Sequence, residues 1–106
     1  MYELEEILSR SASDNKIVLE YIDALELLYL FGNSNKEVLG WEGWIKYPDG
    51  SLGHSAKYQR TTDLSSMPNE SAIALIQSSI MQAHSEWEEV PEVENAKLLF
   101  CIDVNT

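Results

Sequence analysis

The stretch LGWEGWIKYPDGSLGHSAKYQ, residues 39–59, decides how this chain folds. It holds two of the three Trp, four of the five Gly and one of the two His. Two strand-like runs flank the triplet Pro48-Asp49-Gly50. Pro48 sets its own φ and Gly50 accepts a positive one, so the triplet reverses the chain. Residues 37–47 (EVLGWEGWIKY) therefore read as one strand of a hairpin and residues 51–58 (SLGHSAKY) as the other. Alternation places Leu39, Trp41, Ile45 and Tyr47 on one face and Glu42, Trp44 and Lys46 on the other. The apolar set is expected to meet the core. Gly40 and Gly43 permit a bulge that would shift this assignment.

Two registers are open. A two-residue turn at Asp49-Gly50 pairs Ile45 with His54 and turns the imidazole inward. A three-residue turn with a bulge at Gly50 pairs Trp44 with His54 and turns the imidazole outward. The turn chemistry favours the second register, and the position of Leu52 favours the first.

Outward from the hairpin, residues 67–89 form the clearest helix. Ile73, Ile76, Ile80, Ala83 and Trp87 recur at steps of three and four, with Ser66 as N-cap and Pro68 in the first turn. Pro91 breaks that helix, and residues 96–104 (AKLLFCIDV) read as the last strand. Before the hairpin, KIVL at 16–19 reads as a short strand, followed by a second helix, EYIDALELLYLF, at 20–31. Gly32 and Asn33 stop it. A short helix over residues 2–10 leads the chain, with Leu4, Ile7 and Leu8 on one side. The order is a leading helix, then β-α-β-β-α-β. It predicts an α+β, ferredoxin-like fold: a four-stranded antiparallel sheet with two helices on one face. Right-handed crossovers would place the first and last strands side by side in the middle.

The 106 residues make one domain, with its βαββαβ unit at 16–104. A lone Cys101 excludes an internal disulfide, and its apolar setting predicts a buried, inert thiol. No basic-then-apolar leader and no spanning apolar run occur, so a cytoplasmic protein without membrane contact is expected. Seven bases face eighteen acids, a net charge of −11. That balance repels nucleic acid backbones and favours a basic protein partner.

Catalytic signatures are missing. There is no G-x-S-x-G elbow, no H-E-x-x-H and no phosphate loop, and His54 and His84 lack metal-ligand spacing. A non-enzyme with no cofactor and no metal is expected. The acids Glu86, Glu88, Glu89, Glu92 and Glu94 crowd a helix C-terminus and oppose its dipole, so they should be used elsewhere.

The segments IVLEYIDALELL and VLGWEGWIKYPDGSLGHS, the helix ending at Trp87, and KLLFCIDV together resemble predicted immunity proteins of bacterial polymorphic toxin and contact-dependent inhibition systems. Such proteins are small, often acidic, and bind a cognate toxin domain. The resemblance implies a non-enzymatic inhibitor of a toxin domain, and it transfers no contact residue by position. Charge makes a basic toxin such as a nuclease the expected partner. From the residues themselves, Trp44 is the expected anchor of the contact. Glu42, Asp49 and Asp63 would surround it, and His54 and Tyr58 would add polar aromatic contacts; the Glu86–Glu94 acids are second choice. The rival expectation is a self-associating regulatory or ligand-sensing module that pairs through its sheet as a homodimer.

Overall fold

In a computed structural model, which describes residues 4–13, 15–32, 37–58 and 67–105, the hairpin closes in the three-residue register. Trp44 pairs with His54, Ile45 with Gly53 and Lys46 with Leu52. The Tyr47 N–H donates to the Ser51 carbonyl at 2.9 Å, and the Gly50 N–H to the Tyr47 carbonyl at 2.9 Å. Gly50 takes φ +90°, a left-handed conformation that a side chain would strain. Local turn chemistry thus outweighs the hint from Leu52, which ends up exposed.

The elements run α1 (Leu4–Leu8), β1 (Ile17–Leu19), α2 (Tyr21–Phe31), β2 (Glu37–Lys46), β3 (Leu52–His54), α3 (Asn69–Glu89) and β4 (Lys97–Asn105). The fold is α+β with one four-stranded antiparallel sheet in the order β1-β4-β2-β3. The first and last strands do lie side by side, but β1 is an edge strand and β2 takes the second central place. This corrects the ferredoxin-like order expected from the sequence. Strand length gives the reason: β2 and β4 pair along nearly their whole length, whereas β1 and β3 have three residues each. The longest ladder has the most backbone groups to satisfy and so belongs where both edges are paired. The outer edge of β1 is closed by its own chain. Ala12 N–H donates to the Val18 carbonyl at 2.9 Å, and Val18 N–H donates to the Ser11 hydroxyl at 2.9 Å.

Alternation builds two unequal cores. Val38, Trp41 and Ile45 of β2, Leu19 of β1, and Leu98, Phe100 and Ile102 of β4 are buried against α2 and α3. The rings of Trp41 and Phe100 sit 5.2 Å apart at its centre. From α1, Ile7 is buried in the same core, as the helix packs on α2. Each large apolar side chain fully enclosed there contributes about 1.5–3 kcal/mol. A bulge between Val38 and Gly40 turns Val38 into this core in place of Leu39, which the alternation pattern had put there. The Asn69 side chain holds the site, accepting the Val38 N–H at 2.9 Å.

Helix ends depart from the sequence reading in detail. α3 begins at Asn69 with Pro68 as its cap residue, and no side chain caps it; Ser66 lies outside the described residues, as does Asn33. Gly32 ends α2 in ordinary right-handed geometry, donating its N–H to the Leu28 carbonyl.

Candidate functional site

The sheet face away from the helices brings together Trp44, Glu42 and His54. The Trp44 indole N–H donates to Glu42 Oε1 at 3.2 Å, and the His54 ring lies 4.7 Å from the indole. Lys16 Nζ sits 3.9 Å from the same Glu42 oxygen. Trp44 is half-buried and packs over Val18, Leu99 and Cys101, which form a second, small core. The ring therefore covers part of the sheet rather than standing free of it. Cys101 beneath it is fully buried, as its apolar setting predicts. By strand alternation this face also carries Lys46, Lys97 and Asp103, so its charge is close to balanced.

The other predicted contacts lie elsewhere. Asp49 stands at the hairpin tip and spends its carboxylate on the turn, accepting the Ser51 hydroxyl at 2.6 Å and the Ser51 N–H at 2.9 Å. Those bonds, the hydroxyl first, hold its pKa below the ordinary value. Tyr58 is on the helix side of the sheet, its ring 6.1 Å from Trp41. Asp63 lies outside the described residues.

Two carboxylates fix Tyr58 and the segment before it. Glu92 accepts the Ser55 hydroxyl at 2.8 Å, the Ala56 N–H at 3.0 Å and the Lys57 N–H at 3.2 Å. Glu86 accepts the Tyr58 hydroxyl at 2.9 Å, with Lys57 Nζ 3.6 Å away. Burial pushes the Tyr58 phenol up, and Glu86 and Glu92 push it further, to about 12. Glu86 is held low, chiefly by the Tyr58 hydroxyl. Burial raises the Glu92 carboxyl, but the Ala56 amide, the Ser55 hydroxyl and the Lys57 amide together outweigh it and lower its pKa. This arrangement ends β3 after His54, four residues short of the strand expected from sequence. It also gives two of the crowded C-terminal acids an internal use.

Charge separates between the layers. The helices carry Glu5 and Glu6 in α1, Asp23 and Glu26 in α2, and Glu70, Glu86, Glu88 and Glu89 in α3, with no Lys or Arg of their own; from outside them Arg10 reaches Glu6 and Asp23, and Lys57 reaches Glu86. The same layer exposes apolar groups: Ile22 is 68% exposed, Tyr29 53%, Leu75 50% and Met81 53%. Two hollows mark the seam between α2 and α3. One, of about 500 Å³, lies between the end of α2 and the start of α3, lined by Leu28, Tyr29, Ile73 and Ala74 among others. The second, of about 350 Å³, lies at the opposite end, where the His84 ring stacks on Tyr21 at 3.7 Å and 3°. The helices' lack of cations is plain in the sequence once their bounds are known. The Tyr21–His84 stack is not, since it joins residues from two helices.

Comparisons of the chain with protein-family models, with curated proteins and with solved structures find no match. Among the described residues no group of His, Cys, Asp and Glu side chains is placed to hold a metal ion, and no helix is long and apolar enough to cross a membrane.

Proposed function

We propose that this protein is a non-enzymatic binder that neutralises a basic protein domain, in the manner of an immunity protein acting on a toxin such as a nuclease. What carries the reading is the helical layer, whose carboxylates outnumber the cations that reach them (Arg10 at Glu6 and Asp23, Lys57 at Glu86) and stand beside exposed apolar side chains. A surplus of carboxylates raises the local concentration of a positively charged protein and speeds encounter. Exposed apolar groups supply the surface that excludes water once contact is made. The sheet face, with Lys16, Lys46 and Lys97 on it, is the poorer match for a cationic partner. On this reading Trp44 serves stability more than contact.

The test is a binding titration of the purified chain against the basic domain encoded beside it. A complex is expected, with an association rate that falls about tenfold or more between roughly 50 mM and roughly 500 mM salt. Replacing Glu26, Glu70 and Glu88 together by Lys should weaken it, and replacing Glu42 should not. Absence of a complex, or an association rate indifferent to salt, overturns the proposal. Sedimentation of the free chain covers the rival: a concentration-dependent dimer that buries Trp44 would favour self-association through the sheet.

A further inference from the structure

The hollow at the Tyr21–His84 stack has the chemistry of a receptor for one side chain. Its wall is aromatic: His84 lies flat on Tyr21, and Trp87 lines the same hollow. Its rim is carboxylate. Glu88 meets His84 Nε2 at 3.7 Å, with no other polar contact among the described residues, and its side chain is 68% exposed. Glu20, also at the hollow, meets Lys97 Nζ through one oxygen at 3.1 Å, and its second oxygen has no polar contact among the described residues. Among the described residues Lys97 is the only Lys or Arg lining the hollow, and it is paired with Glu20.

We infer that this cleft takes an arginine side chain of the basic partner, and the inference rests on the function proposed above. A guanidinium is planar and weakly hydrated, stacks on aromatic faces, and offers donors to two carboxylates at once. Those properties match an aromatic wall with two exposed carboxylates at its rim, each engaged through one oxygen only. A lysine ammonium is a compact, strongly hydrated point charge and exploits the wall less well. The volume of about 350 Å³ is enough for the guanidinium with part of its stem. Arginine is also among the residues that most often anchor protein interfaces.

Acetyl-Gly-Arg-Gly-amide, titrated into the intact chain and followed by NMR, tests the cleft directly. Saturable shifts are expected at Tyr21, His84 and Glu88, with the sheet-side residues Glu42 and His54 unmoved. The same peptide with citrulline, which keeps the shape and loses the charge, should not saturate, and the lysine peptide should bind more weakly. Glu88→Gln should lower the arginine peptide's affinity about threefold. Glu89→Gln, on the same helix but outside the cleft, should leave it unchanged. Equal losses for the two variants, saturation by citrulline, or no saturable shift at all overturns the assignment. A basic partner that still binds the Glu88→Gln variant at full affinity also overturns the cleft while leaving the proposed function in place. Failure of any basic partner to bind, with the arginine peptide still seated, removes the function and not the cleft.

Discussion

Glu92 accepts the backbone N–H of Ala56 at 3.0 Å across 36 residues of sequence. The bond ties the connection between α3 and β4 to the segment that follows β3. With the Ser55 hydroxyl and the Lys57 amide it forms a small anion pocket closed by the chain's own carboxylate.

That pocket makes stability depend on pH at both ends of the scale. Glu86 and Glu92 have folded pKa values below the ordinary 4.5. Their contribution is present above the unfolded value and is lost as pH falls through the folded ones. Tyr58 is displaced the other way, from 10.0 to about 12. Its contribution is present below 10.0 and is lost as pH rises toward 12. Glu92→Gln should cost about 1 kcal/mol at neutral pH, below the usual range for bonds to a charged group because solvent screens it. Urea unfolding at several pH values should also show a shallower acid slope in the variant. An unchanged slope would mean the carboxylate does not hold the segment in solution.

Gly43 sits where the sheet leaves no room for a side chain. A Cβ there would lie 2.7 Å from Tyr58 Cβ and 3.2 Å from Ser55 Cβ, on the face where the captured segment crosses β2. Backbone bonds secure the crossing, with Gly43 N–H donating to the Tyr58 carbonyl at 2.7 Å and Ser55 N–H donating to the Gly43 carbonyl at 3.0 Å. Gly43→Ala should destabilise by about 1–3 kcal/mol through overpacking. Amide hydrogen exchange should show its lost protection concentrated at residues 55–58.

Trp44 protects a thiol. Its ring packs over Val18, Leu99 and Cys101, and Cys101 is fully buried. Trp44→Ala should cost about 2–3 kcal/mol, below the usual range for a fully buried Trp because the ring is only half enclosed. Cys101 should then react measurably faster with a thiol reagent under native conditions. Unchanged labelling in the folded variant would show that something other than the indole shields the thiol. Under the proposed function the same variant retains partner affinity.

Lys46 stands opposite Lys97 in the β2–β4 ladder, a like-charge pair. Lys97 finds Glu20 at 3.1 Å. Lys46→Glu should therefore stabilise the fold by about 0.2–1 kcal/mol, the range for replacing repulsion by attraction across a strand pair. The gain should shrink at high salt in a denaturant titration.

Local chemistry was sufficient for much of the architecture. Period-three-and-four spacing from Ile73 to Trp87 marked α3, and Pro48-Asp49-Gly50 marked the turn, because each depends on residues close in sequence. The outward turn of His54 followed from that triplet once the bulge at Gly50 was allowed. The strand order did not follow, since it rests on which ladder is longest, and the early end of β3 at His54 could not be seen without Glu92. The bulge that exchanges Leu39 for Val38 was legible only as an option at Gly40. Predicted contacts divided in the same way: Trp44, Glu42 and His54 alternate onto one face by strand geometry, whereas Tyr58 was carried to the opposite face by a carboxylate from another element.

From sequence alone came the class of fold, the helix and turn positions, the buried Cys101 and the acidic balance, all of which are properties of single residues or short windows. Packing of distant elements decided the rest. It set the central pairing of β2 with β4, the capture of residues 55–58 by Glu86 and Glu92, and the meeting of Tyr21 with His84. Each of these is a contact between groups far apart in the chain, whose free energy exists only once the tertiary structure has brought them together.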